Sequence, residues 1–251
     1  MEETSQEAEL ERLDKALVSR GLVLSRERAK TLIKKGSVMV KGVIITEPSF
    51  VVEAETELAL TEEDIPWVSR SGVKLAHVLE LWKIDPKGFA CLDIGASTGG
   101  FTEVLLAGGA KKVYAVDVGH GQLHEKLRND PRVVNMEGMH VNMMDGSEIG
   151  EEIDLIVIDV SFISLTKVLG RAKMFMKQNG QIIALVKPQF EVGREAINKG
   201  IVKDKKLRAK ALESVKQFVR TAGLMVENET VSPIKGGDGN EEYLLLLSAA
   251  N

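Results

Sequence analysis

Cysteine is almost missing: the 251 residues hold one, Cys91. That excludes a disulfide framework and a cysteine-built zinc site, and it suits a reducing compartment. Aromatic residues make up only 4% of the chain, too few for broad recognition by ring stacking. No apolar run approaches the roughly 18 residues of a membrane span. The longest are strand-sized, such as Leu244 to Leu247. Residues 1–11 carry five glutamates and no lysine or arginine, so no secretory signal is expected. With 44% hydrophobic and 28% charged residues the composition is that of a folded globular chain, which excludes disordered, collagen-like and coiled-coil classes. At roughly 150 residues per domain, the length implies one large or two unequal domains.

The net charge of −4 averages over strong patterning. Between Arg12 and Val43, nine basic residues face two acids, Asp14 and Glu27, leaving +7 in 32 residues. The flanks are acidic, so a basic module sits inside an acidic protein. Arg12, Arg20, Arg26, Arg28, Lys30, Lys34 and Lys35 are the candidates for contacts to nucleic-acid phosphates, and steep salt dependence follows if they make them. The bland alternative is a solvated helix face.

Residues 9–20 show a helical stripe of Leu10, Leu13, Leu17 and Val18, stopped by Gly21. Ser25 reads as the N-cap of a second helix with Ala29, Leu32 and Ile33 facing inward and Gly36 beyond its end. SVMVKGVIIT alternates around a Lys41-Gly42 turn, and SFVVEAETELAL reads as further strand. These elements make a small α+β domain over residues 1–62, with residues 63–70 as the linker. From Ser71 to residue 251 the pattern becomes α/β. A helix, SGVKLAHVLELW, leads into seven apolar strand candidates: FACLDI, KKVYAVDV, RVVNM, IDLIVIDV, QIIALVKP, LMVENETV and EEYLLLLS. Near-continuous apolar strands between helices indicate a mostly parallel sheet buried on both faces. Only a glycine-rich loop separates the last two, so the last strand is expected to run antiparallel.

LDIGASTGGFTEVLL places Asp93, Gly95, Ser97, Gly99 and Gly100 at a strand-to-helix turn. Glycines there let the backbone approach a ligand at a helix N-terminus. An acid two residues before the first glycine would repel pyrophosphate but suits a cationic amino-acid head, and S-adenosylmethionine is the matching cofactor. Asp117 ends the second strand 22 residues beyond Gly95, near the roughly 20-residue spacing at which a carboxylate receives ribose hydroxyls.

Four more charged residues sit at strand ends or beside them. Asp159 ends the fourth strand, Lys187 the fifth, Glu242 opens the seventh, and Lys74 lies on the leading helix. An antiparallel last strand brings Asp159, Lys187 and Glu242 to one edge. Salt-bridged strand caps are the bland reading. A lysine that sheds its proton can instead act as base toward a sugar hydroxyl. His77, His120, His124 and His140 show no metal-ligand spacing, so no metal is expected. Phe101 reads as helix packing, Phe190 as a ring able to stack a flipped nucleotide, the methionines 136, 139, 143 and 144 as core or pocket wall, and Cys91 as buried and unreactive.

These residues resemble the FtsJ-like, Rossmann-type ribose 2′-O-methyltransferases, whose Lys-Asp-Lys-Glu tetrad matches Lys74, Asp159, Lys187 and Glu242. The whole chain, from about residue 9 to 248, is similar to the TlyA family, often labelled haemolysin A. In that family an S4-type RNA-binding domain precedes such a catalytic domain. RLDKALVSRGLVLSRERAKTLIKKGSVMVKG resembles the first domain; VSRSGVKL, LDIGASTGGFTEVLL, IDVSFISL, LVKPQFE and GNEEYLLL resemble the later motifs. The resemblance implies a Rossmann-like class I methyltransferase sheet and S-adenosylmethionine as donor. It implies cytidine 2′-O-methylation in ribosomal RNA or ribosomal subunits, and a cytoplasmic location without membrane contact. Two positions depart from the family: Ser71 replaces the first glycine of its Ser-Arg-Gly-Gly junction, and MEGMHVN replaces its usual Glu-Arg-Thr-Asn-Val-Arg loop, so no adenosine contacts are assigned there. A membrane-active haemolysin and a non-catalytic ribosome-assembly factor are the rival functions. The first lacks a spanning segment or an aromatic-rich basic helix.

Overall fold

The computed structural model describes residues 10–23, 26–61, 65–193, 195, 197, 200–236 and 239–250. The chain divides into two compact units, Met1–Pro66 and Trp67–Asn251.

The first unit runs β1 (Leu10–Arg12), α1 (Leu13–Ser19), α2 (Arg26–Lys34), β2 (Val38–Val40), β3 (Val43–Ile44), β4 (Val51–Glu53) and β5 (Leu58–Leu60). Ten buried apolar residues from Leu13 to Val52 make its core, among them Leu17, Ala29, Leu32, Ile33, Val38 and Val40. The Lys41-Gly42 turn joins β2 to β3 with both residues at positive φ, 48° and 77°, the geometry of a tight hairpin. The helical reading is corrected for Leu10–Arg12, while residue 9 lies outside the described residues. Leu10 lies in β1, opposite Glu53 of β4, and is 67% exposed. Cross-strand pairing wins over helical periodicity there, and α1 starts only at Leu13, whose N–H donates to the Phe50 carbonyl at 2.7 Å. The N-cap expected at Ser25 lies outside the described residues.

The second unit runs α3 (Ser71–Leu81), β6 (Ala90–Ile94), α4 (Gly100–Ala107), β7 (Lys112–Asp117), α5 (Glu125–Arg128), β8 (Val133–Glu137), β9 (Ile153–Ile158), α6 (Thr166–Lys173), β10 (Met176–Val186), α7 (Pro188–Glu191), α8 (Lys205–Thr221), β11 (Leu224–Val231) and β12 (Tyr243–Ala249). A single 3-10 turn, Val141–Met143, follows β8. The seven strands order as β11-β12-β10-β9-β6-β7-β8. The five from β10 to β8 are parallel, while β12 runs antiparallel to both β10 and β11. This is the doubly wound order with a reversed strand set between the fifth and sixth. Alternate residues feed two cores. Ala90, Leu92, Ile94, Ile182 and Ala184 go to one face, and Cys91, Leu155, Val157, Ile183 and Leu185 to the other. Both sets are buried, which is why the strands read as unbroken apolar runs.

Trp67 to Arg70, expected as linker, belong to this unit. The Trp67 ring packs where a Cβ on Gly72 would stand, and the Val68 N–H donates to Glu103 at 2.5 Å. Among the described residues no helix is long and apolar enough to cross a membrane, and no His/Cys/Asp/Glu group could hold a metal. Phe101 and Cys91 are buried, and burial pushes the Cys91 thiol up to about 12. Met144 is buried and Met136 and Met139 pack on the core, but Met143 is exposed on the 3-10 turn.

Candidate active site

The parallel strands β6, β7, β9 and β10 all release their chains at one sheet edge, and β12 begins there because Tyr243 pairs with Val186. Two cavities open along that edge. One, of about 420 Å³, is largely apolar, walled by Ile94, Val116, Met139, Val141, Ile163 and Val168, with the Asp117 carboxylate at its side. The other, of about 310 Å³, is polar and carries Lys74, Asp159, Ser161 and Lys187. Gly95, Ser97, Asp159 and Ser161 line both.

The turn between them depends on left-handed backbone at Gly95 (φ 86°), Ser97 (φ 47°) and Gly99 (φ 96°). A Cβ at Gly95 would collide with the Asp159 carbonyl, so the close approach of β6 and β9 requires glycine. Asp117 accepts from the Ser97 N–H at 2.8 Å and the Gly119 N–H at 2.7 Å. Each oxygen keeps acceptor capacity toward the cavity. Asp93 and Gly99 stand behind the wall. Asp93 is fully buried, its Oδ2 accepts from Thr102 Oγ1 at 2.7 Å, and its Oδ1 has no hydrogen-bond partner among the described residues. Burial raises its carboxyl to about 7, Thr102 pulls the other way, and the nearby charges of Asp159 and Asp117 add to the rise.

The four strand-end charges form two pairs. Lys187 Nζ stands 2.5 Å from Asp159 Oδ1 and donates to Ser161 Oγ at 2.8 Å. Lys74 Nζ donates to Glu242 Oε2 at 2.6 Å, with both side chains almost wholly buried. Glu242 therefore holds Lys74 rather than Lys187. Gly236 leaves room for it, since a Cβ there would overlap its carboxylate.

Three features escape the sequence. Ser161 is one; it follows Asp159 by two in IDVSFISL, a signal that was present. A second is Glu137, whose carboxylate accepts from the Gln122 and Leu123 N–H groups at 2.5 and 3.0 Å. Through Gln122, which accepts from Ser97 Oγ at 3.1 Å, it fixes the cavity loop. The Asn135 amide and those backbone donors hold its carboxyl down to about 2. The third is Phe162, 92% exposed at φ 64°, with its ring 5.3 Å from that of Phe190. Glu191 ties this loop through Ser164 Oγ at 2.6 Å and the Leu165 N–H at 2.8 Å.

In the first unit several basic candidates have structural tasks. Arg12 and Arg26 bind the fully buried Asp14 carboxylate at 3.0 and 2.9 Å, and their hydrogen bonds outweigh its desolvation to keep its pKa low. Arg20 donates to the carbonyls of Thr56 and Glu53, Arg28 to that of Ile65, and Lys30 pairs with Glu27 at 2.7 Å. The two acids of the basic segment thus engage three of its cations.

The FtsJ-like methyltransferase family matches residues 67–249, and the S4 domain matches residues 11–58. The chain is 44% identical over 238 residues to the 16S/23S rRNA (cytidine-2′-O)-methyltransferase TlyA of Mycobacterium tuberculosis, covering 94% of this chain and 89% of that one. It is 43% identical to hemolysin A of Brachyspira hyodysenteriae, covering 93% and 98%. Among solved structures, a Streptococcus thermophilus protein described as a hemolysin superposes with a TM-score of 0.75 at 41% identity, covering 96% and 89%.

Proposed function

The chain belongs to the FtsJ-like methyltransferase family and, over nearly its whole length, to the TlyA family, and from that premise we propose that it methylates the ribose 2′-hydroxyl of cytidine in ribosomal RNA, using S-adenosylmethionine. The observation that carries this reading is the position of Lys187 Nζ in the polar cavity, held by Asp159 and Ser161, two residues that line both cavities.

The residues present fit the cofactor. An apolar slot with the Asp117 carboxylate at the end of β7 as acceptor suits a nucleoside, and the glycine-bearing turn from Gly95 to Gly99 leads from it to the polar cavity. Ser97 and Gly95 border both compartments, while Asp93 supports the turn from beneath through Thr102 on α4. When bound, S-adenosylmethionine supplies an electrophilic methyl group on a sulfonium that departs as a neutral thioether.

The protein's own part is to place and deprotonate the nucleophile. Lys187 in its neutral form takes the proton from O2′ as that oxygen forms its bond to the methyl carbon. Asp159 and Ser161 fix Nζ, so base and hydroxyl meet in one orientation. Lys74, charge-balanced by Glu242, forms a further part of the polar wall. The paired rings of Phe162 and Phe190 offer an apolar surface for a base turned out of its stack. The first unit docks on folded RNA through its basic face.

Single-turnover methyl transfer to ribosomal subunits lacking the modification tests this reading. Wild type should transfer one methyl per target site to O2′. Lys187→Ala should slow the step by about 10²–10⁴-fold, the usual worth of a positioned base. Undiminished transfer by Lys187→Ala removes the base assignment, and absence of transfer by wild type removes the enzyme reading. Lysis of erythrocytes by the purified chain, without RNA or cofactor, would favour the hemolysin name instead.

A further inference from the structure

The polar cavity holds more positive charge than methyl transfer uses. Four of its lining side chains are basic: Arg70, Lys74, Lys187 and Lys235. Glu242 pairs with Lys74 and Asp159 with Lys187, the lysine that must shed its proton before it acts as base. Arg70, just before α3, and Lys235, in the loop between β11 and β12, are exposed, and their side chains have no hydrogen-bond or ion-pair partner among the described residues. They leave about two uncompensated positive charges around the cavity in a chain whose net charge is −4.

The cofactor does not balance them. S-adenosylmethionine carries a sulfonium, an ammonium and one carboxylate, so it adds a further net positive charge. The second ligand must therefore bring the anions. A ribose whose 2′-hydroxyl reaches Lys187 has one phosphodiester on the adjacent 3′ carbon and another at its 5′ carbon when it lies inside a chain. Two anionic esters match two free cations, and a guanidinium can take two oxygens of one phosphate.

Resting on the ribose-methylation reading, we propose that Arg70 and Lys235 form a phosphate clamp at the mouth of the polar cavity, gripping the RNA backbone beside the target ribose. The site then takes a nucleotide within an RNA chain and discriminates against a free nucleoside. This assigns Arg70 and Lys235 as substrate-positioning residues distinct from the docking face of the first unit.

The test uses the full chain and ribosomal RNA from cells lacking the protein. Affinity is measured against salt for wild type, Arg70→Gln, Lys235→Gln and the double variant, with cofactor affinity measured alongside. Each single variant should flatten the log–log salt slope by about 0.7–0.9, as one lost phosphate contact does. Cofactor affinity should stay within about twofold of wild type, and Arg70→Lys and Lys235→Arg should restore the slope. Unchanged slopes overturn the clamp. So does a drop in cofactor affinity with the slope intact, which would assign Arg70 to the cofactor's carboxylate. Methyl transfer by wild type is scored separately. Transfer with unchanged slopes removes the clamp and keeps the methylation reading, whereas flattened slopes without transfer keep the clamp and remove methylation.

Discussion

Asp93 carries a carboxyl group into a fully dehydrated position with one oxygen unpartnered among the described residues, and that has a measurable consequence. Its carboxyl is raised from 3.8 in the unfolded chain to about 7 in the native one. Between those values the native state binds the extra proton, so stability falls as pH rises through this window and levels off above it. Asp93→Asn keeps the shape and removes the ionisation. Denaturant unfolding at pH 5, 6, 7 and 8 should show the wild type losing stability relative to the variant as pH rises, by roughly 3 kcal/mol in all, most of it between pH 5 and about 7. A constant gap would mean that Asp93 is ionised throughout. At this scale the sequence showed the right residue types at strand ends, because a charge closing an apolar run is conspicuous. The pairing was hidden. Glu242 chooses Lys74 because α3 brings that lysine to the start of β12, and helix placement across a sheet is not written in local spacing. The task of Arg12 and Arg26 was equally hidden, since nothing in the sequence marks Asp14 as buried.

The elements themselves were legible where burial on both faces produced apolar runs, as in β6, β7, β9 and β12; β11 is mostly exposed, and β10 begins at Met176, five residues before the run read in the sequence. The loops that line the cavities beside these strands are held by hydrogen bonds the sequence does not announce. Glu137, at the end of β8, reaches across to the loop before α5 and holds Gln122 and Leu123. Glu137→Ala should loosen the apolar cavity's wall and weaken S-adenosylmethionine binding by roughly tenfold, about 1.4 kcal/mol, as calorimetry would read it. RNA affinity should not move. Because the folded pKa is depressed to about 2, this clasp is intact above about 4.5 and is lost as pH falls toward 2. The same logic explains the misread start of α1. Periodicity extends the helix back to residue 9, but β4 competes for Leu10 to Arg12 and wins by pairing.

For the molecule as a whole, a net charge of −4 conceals two positive regions, the first unit's basic face and the cavity mouth. RNA affinity should fall steeply with salt although the protein is acidic. Lys34→Gln should lower the salt slope by about 0.7–0.9 without changing thermal stability. Arg26→Gln should lower it and also destabilise the first unit by about 1–3 kcal/mol, since Asp14 would lose a partner. Equal thermal effects would show that the Asp14 contacts are incidental. The position of β12 has a further consequence, for synthesis on the ribosome. The strand latest in chain order lies between β10 and β11, so both keep open edges until residues beyond 242 emerge. Vectorial folding of this sheet therefore cannot close early, and an interrupted nascent chain presents bare strand edges to chaperones and proteases. Because Glu242 precedes that same strand, the partner of Lys74 is made only after the six other strands of the sheet, and a polypeptide stopped short of it is left both open-edged and without that ion pair.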